Sequence, residues 1–242
     1  MSNVLLYKAN SRGKGNHGWL QSHHTFSFAG YFNPNRMNFG VLRVLNDDEI
    51  HGGSGFPTHP HDNMEIITII LEGALEHNDS MGHTEQLKKG EVQVMSAGTG
   101  LKHSEYNASQ SELLNLFQIW IYPNKQNVMP RYAQQAYDVS KTKNAFFEIV
   151  TPYDGINPLW IQQQAWLSLG DFDNEQIVEY IVKKKGNGLF AMVVNGQCEI
   201  AGQILNDRDA IGIWDIHSGL QNLSMAITKP DTRILLIDVP ME

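Results

Sequence analysis

Cysteine is almost missing from this chain. Its 242 residues hold one, Cys198, which excludes an intrachain disulfide and any scaffold built on one. Basic charge is also in deficit. The formal net charge is -8, with 18 Lys and Arg against 26 Asp and Glu, and no basic run stands out. Binding to a phosphate backbone by bulk electrostatics is therefore not expected. Long hydrophobic runs are absent too, and nothing approaches the roughly 20 apolar residues of a membrane helix. The opening stretch, MSNVLLYKANSRGKGNHG, lacks the basic region, apolar core and cleavage site of a signal peptide. Together these deficits predict a soluble, cytoplasmic protein with no nucleic-acid or membrane partner. Dinucleotide, P-loop, nucleophile-elbow and H-E-x-x-H signatures are missing as well.

What is present is a series of short apolar runs rich in Val, Ile, Leu and aromatics. FGVLRVL, MEIITIILEG, EVQVMSAGTG, LLNLFQIWIY, LFAMVVNG, DAIGIW and TRILLIDV are separated by turn signals such as EGALEHND, KKGE and LNDRDA. The pattern predicts an all-β sandwich or barrel. Residues 122–144 are polar and carry two prolines, which marks a boundary between halves, 1–130 and 131–242. ILEGALEHNDSMGHTEQLKKGEVQVM before it and VVNGQCEIAGQILNDRDAIGIW after it share one order: strand, glycine turn, polar strand, turn, strand. We read an internal duplication of one β module, with His217 the only histidine of the second copy. Within 131–140, Tyr132, Ala136 and Val139 are spaced to share one face of a helical turn.

The chemistry concentrates in two pairs. In GFPTHPHDNME, residues 55–65, His59 and His61 are two apart, and the proline between them favours extended backbone. Residues two apart on a strand point the same way, so both imidazoles share a face. In GTGLKHSEYN, His103 and Glu105 have the same spacing. The gap between the pairs accommodates a hairpin and a return strand, so the pairs can meet inside a barrel. Three nitrogens and one carboxylate oxygen suit a divalent transition metal: iron, nickel, copper, manganese or zinc. The absence of thiolate argues against a closed structural zinc site. Glu65 is also in range, either as a ligand in place of Glu105 or as a group steadying an imidazole. Adjacent His23 and His24 face opposite ways and cannot chelate one ion. His77 and His83 flank a polar turn and read as solvated. Cys198 reads as a buried, inert thiol, and the tryptophans, Trp120 among them, as packing residues in strands.

HPHDNME followed by an apolar strand and EG, then GEVQVMSAGTGLKHSEYN, resembles the two metal-binding motifs of the cupin superfamily. The closer resemblance is to the pirin family, through HPH, MSAGTG and HSE, with NHGWLQSHHTFSF and LRVLNDD in support. It spans roughly residues 5–130 and is strongest with bacterial pirin-like quercetin 2,3-dioxygenases. Ser96 stands where many cupins have proline, and the glycine-rich turn is longer; both departures are pirin-like. The resemblance implies a bicupin, two jelly-roll barrels face to face, with a metal in the N-terminal one only. His59, His61, His103 and Glu105 match the ligand positions. Glu65 matches a glutamate that other cupins use, and Glu105 ranks above it. The implied activity is metal-dependent ring-opening of a flavonol by dioxygen with release of carbon monoxide, Glu105 taking the proton of the 3-hydroxyl. The alternative implied by the family is a metal-binding regulatory or redox-sensing protein that acts through a protein partner.

Overall fold

Short apolar runs bounded by turns become antiparallel strands. The computed structural model describes residues 2–215 and 222–242; His217 lies outside the described residues. The first part of the chain forms β1 (Asn3–Tyr7), β2 (Gly13–Asn16), β3 (Leu20–His24), β4 (Leu42–Ile50), β5 (Gly55–His61) and β6 (Glu65–Glu72). Next come β7 (Ala74–Asp79), β8 (Thr84–Lys88), β9 (Glu91–Ser96), β10 (Leu101–Asn107), β11 (Leu114–Ile121) and β12 (Arg131–Ala136). A seven-stranded sheet has the order β12-β9-β6-β11-β4-β3-β2, and a four-stranded sheet the order β5-β10-β7-β8. Gly73 makes the tight β6–β7 turn with φ +80°, and a Cβ there would sit 2.7 Å from the Leu113 carbonyl oxygen. Only glycine fits that approach without strain.

The second half repeats the plan. Its seven-stranded sheet runs β1, Ala210–Trp214, Asn187–Asn195, Thr232–Pro240, Trp166–Phe172, Phe146–Pro152, Trp160–Ile161. Its four-stranded sheet runs Gln176–Ile181, Asn222–Ile227, Gln197–Ile200, Gln203–Asn206. We propose the division at residue 130/131, and across it each half lends the other an edge strand. β1 pairs with Ala210–Trp214, and β12 pairs with β9. The helical turn expected over 131–140 is therefore mostly strand, because the free edge of β9 supplies backbone partners to Arg131–Ala136. Only Val139–Thr142 is helical, capped by the Asp138 carboxylate, which accepts from the Ser140 N–H. No helix among the described residues is long and apolar enough to cross a membrane.

The two large sheets pack against each other through their outer faces. Leu45, Ile67, Val94 and Phe117 from one half join Leu167, Phe190, Leu235 and Ile237 from the other in one buried cluster. This explains why β6 is buried on both faces and reads as a continuous apolar run. At the edge of this layer the Asp47 carboxylate accepts from Arg12 at 3.2 Å and from Arg208 of the second half at 2.9 Å. Removing a carboxylate from between two guanidinium groups leaves buried positive charge uncompensated. Asp47→Ala should therefore lower unfolding stability by on the order of 3 kcal/mol in urea titrations; a loss below about 1 kcal/mol, the range of a surface pair, would contradict this role.

Candidate metal centre

Alternation along the strands sorts the large sheet into an outer apolar face and an inner face that holds a polar layer. The register places His24, Asn46, Gln118, Thr68 and Gln93 on one rung across β3, β4, β11, β6 and β9. Above it lie Leu20, Ile50, Ile70, Leu114 and Leu116, and below it Ile66 and Met95. The small sheet carries the ligand candidates. His59 stands opposite His103 in the β5–β10 pairing, and an irregularity between His103 and Glu105 re-registers the strand so that Glu105 pairs with Phe56. His103 and Glu105 are buried and alternate with the exposed Lys102 and Tyr106.

The four residues named from spacing do come together. Ring centroids are 4.8 Å apart for His59 and His61, 4.4 Å for His59 and His103, and 4.9 Å for His61 and His103. One nitrogen from each of these rings lies within 4.8 Å of the others. Glu105 groups with His103 and His77 in a second, overlapping set by the same distance. His59 Nδ1 lies 2.8 Å from the Pro57 carbonyl oxygen, which assigns the proton to Nδ1 and leaves Nε2 with its lone pair. Burial first, then the neighbouring imidazoles, pushes the His61 pKa down to about 4. Burial and the flanking His59 and His77 push that of His103 down to about 3. Both rings are neutral near pH 7 and offer lone pairs.

Glu105 is held by the polar rung. Its Oε2 accepts from Gln118 Nε2 at 2.8 Å and its Oε1 from Gln93 Nε2 at 3.1 Å. Thr68 Oγ1 donates to Gln118 Oε1 at 3.2 Å and so orients that amide. Sequence reasoning missed these three residues. The signal was there: each is a lone polar residue in the middle of an apolar strand, IITII, VQV and LFQIW.

Other expectations need correcting. His77 is not a solvated turn residue but fully buried, stacked on Tyr132 at 4.6 Å with Nε2 3.3 Å from Asp79. His83 completes this chain, its Nδ1 2.8 Å from the same carboxylate oxygen. Glu65 lies away from the histidines. The positive φ of Asn63 breaks the alternation between β5 and β6, so Glu65 shares the outer face with Ile67 and Ile69. There it accepts from Ser96 Oγ at 2.6 Å, beside Arg131. Trp120 is not simple packing: it lines the chamber, edge-on to His61 at 5.0 Å and to Phe28 at 5.3 Å. Cys198 is buried as expected, which pushes its thiol up to about 12.

Beside the histidines lies a cavity of about 320 Å³ lined by Phe28, Phe56, Trp120, Asn46, Asp48 and Gln118 together with His59, His61, His103 and Glu105. Asp48 sits one rung above Asn46, accepts from Ser22 Oγ, and is pushed up to about 7 by burial. The equivalent interior of the second half is mostly apolar, with Phe172, Leu189, Ile211 and Met225 around Cys198, and its buried Asp238 is paired with the Tyr180 hydroxyl and the Asn187 amide.

Two duplicated sandwiches, back to back, with clustered ligand candidates inside one and a mostly apolar interior in the other, define a bicupin. The pirin profile matches residues 7–121, and that of the quercetinase C-terminal cupin domain matches 148–239. The chain is 44% identical over 241 residues to the quercetin 2,3-dioxygenase of Escherichia coli K12, covering 98% of this chain and 99% of that one. It is 39% identical to a pirin-like protein of Caulobacter vibrioides over 84% of this chain and 87% of the other. The crystal structure of the bacterial pirin YhhW from Escherichia coli in complex with nickel(II) superposes with a TM-score of 0.89 at 42% identity, covering 98% and 99% of the two chains. The chain belongs to the pirin family.

The position of Glu65 generates a stability prediction. Burial raises its folded pKa from 4.5 to about 7. The folded protein then binds the proton more tightly than the unfolded chain, so the stabilisation is complete below pH 4.5 and is lost as pH rises through about 7. In chelator-treated protein, Glu65→Gln should remove a pH-dependent loss on the order of 3 kcal/mol between pH 5 and 8. Parallel stability curves for the two proteins would contradict the buried, non-ligand position.

Proposed function

We propose that the chain is a metal-dependent dioxygenase of the quercetin 2,3-dioxygenase type, acting on a flavonol-class planar aromatic with dioxygen. The observation that carries this reading is the cavity itself: aromatic walls, about 320 Å³, ending on three imidazoles and a carboxylate. That volume lies within the range of small-molecule sites.

The residues fit a divalent ion. Among the described residues, neither ring nitrogen of the buried His103 has a hydrogen-bond partner. A buried, unpaired polar atom is costly, and ligation of an ion removes that cost at one nitrogen. His59, His61 and His103 through ring nitrogens and Glu105 through an oxygen would hold one ion. Iron, nickel, copper, manganese and zinc all accept this donor set; the nickel complex of the Escherichia coli relative supports nickel. When bound, the ion supplies Lewis acidity that lowers the pKa of a substrate hydroxyl.

The chain's own groups do the remaining work. Phe28, Phe56 and Trp120 take the flat faces of the substrate and keep water from them. Glu105 accepts the proton of the 3-hydroxyl. Its bonds from Gln93 and Gln118 fix the carboxylate where that proton is delivered. The hydrogen bond of His59 to Pro57 fixes which nitrogen faces the chamber.

His59→Ala or His103→Ala should strip most of the metal, measured by elemental analysis, and leave the circular dichroism spectrum intact; full retention would refute the ligand assignment. Glu105→Gln should cut kcat by about a hundredfold or more, and metal content much less, if Glu105 is the base. Equal loss of both would make it chiefly a ligand. Loss of flavonol absorbance in air tests the activity itself. A protein that keeps its ion yet turns over no flavonol with any of the five metals would favour the regulatory reading, in which the chain works through a protein partner.

A further inference from the structure

The polar rung does more than hold Glu105. Gln93, Thr68 and Gln118 account for the carboxylate, but the rung continues into β4 and β3 with Asn46 and His24. Asn46 is 3% exposed and lines the cavity, and its buried Oδ1 has no hydrogen-bond partner among the described residues. Asp48, on the same face of β4, also lines the cavity. Ser22 is the one side chain described as bonded to its carboxyl. Phe28, Phe56 and Trp120 supply the aromatic part of the lining. β4 belongs to the large sheet, whereas the candidate ligands sit on β5 and β10 of the small one. The cavity therefore has a second polar wall on β4, continuous through Gln118 with the group that holds Glu105, and aromatic walls from Phe28, Phe56 and Trp120.

We propose that Asn46 and Asp48 are the specificity-determining residues of this cavity, hydrogen-bonding a second hydroxyl of a polyhydroxylated planar aromatic whose first hydroxyl is directed at the histidines. The proposal rests on the dioxygenase reading of the same site. Its physical basis is the cost of leaving such groups unpaired. A ligand with apolar atoms against the Asn46 amide and the Asp48 carboxyl would leave these cavity-lining polar groups without a partner. A site built to pair a hydroxyl discriminates against an analogue lacking it far more strongly than an apolar wall discriminates by shape. Asn46 and Asp48 thus select for ring hydroxyls beyond the one that meets the histidines and Glu105.

The test uses two probes, quercetin, with several ring hydroxyls, and 3-hydroxyflavone, which has the 3-hydroxyl alone. Their Kd values are read from quenching of tryptophan fluorescence on the metal-loaded full chain without dioxygen, so that nothing turns over. The wild-type protein should bind quercetin at least about tenfold more tightly, and Asn46→Leu or Asp48→Leu should shrink that ratio by about tenfold. Where a leucine variant fails to fold by circular dichroism, Asn46→Ser and Asp48→Asn should shift the ratio in the same direction. A wild-type protein with no preference, or a ratio unmoved in all folded variants, overturns the proposal. Turnover of both flavonols in air with an unmoved ratio sinks this inference alone. Absence of turnover with the ratio shifting as expected sinks the dioxygenase reading alone. Failure of both flavonols to bind sinks both.

Discussion

The buried carboxylate of Glu105 is the constraint on which the rest of the first half depends. It is 2% exposed, and a charge so far from water must be met by donors on every side. Gln118 and Gln93 meet it from two strands of the large sheet, and Thr68 on the strand between them sets one amide. These contacts span the interior from one sheet to the other. They fix the depth at which β10 sits, and β10 in turn fixes His103 against His59. Loss of any one donor would leave the carboxylate under-satisfied in a region of low dielectric, where that deficit is most costly.

The second half shows what the same topology looks like without that constraint. Its strands follow the same order, yet its interior is mostly apolar, and its buried Asp238 is held by the Tyr180 hydroxyl and the Asn187 amide. One copy carries packing and the other carries chemistry. The shared layer between the large sheets joins them, so the polar interior is backed by a continuous hydrocarbon slab. Such a slab lets the first half hold histidines in strained electrostatic surroundings: neutral, crowded and partly without partners. Burial of the outer face supplies stability that the inner face does not.

Much of this was legible in the residues. HPH and HSE are period-two pairs on strands, and a period-two pair is unambiguous about its face once the strand is granted. The duplication was legible because turn glycines and apolar runs repeat in order. Glu65, four residues past His61, was in range by sequence distance, and the positive φ of Asn63 turns it to the other face. His77 was misread because a polar turn sequence says nothing about what folds over it; β12 brings Tyr132 onto that ring from more than fifty residues away. Resemblance to pirins pointed to the candidate ligand positions but not to the rung of Asn46, Thr68, Gln93 and Gln118. That rung exists only across strands and emerges only from register.

The central claim is that side chains of β5 and β10 converge on one cation. X-ray absorption at the nickel edge, on protein loaded with one equivalent of nickel, tests it most directly. The account predicts a shell of three imidazole nitrogens with the remaining positions oxygen, and in His103→Ala loss of most of the nickel and of one imidazole from the nickel that stays. A shell with fewer than three imidazoles, or one that His103→Ala leaves unaltered, would contradict it.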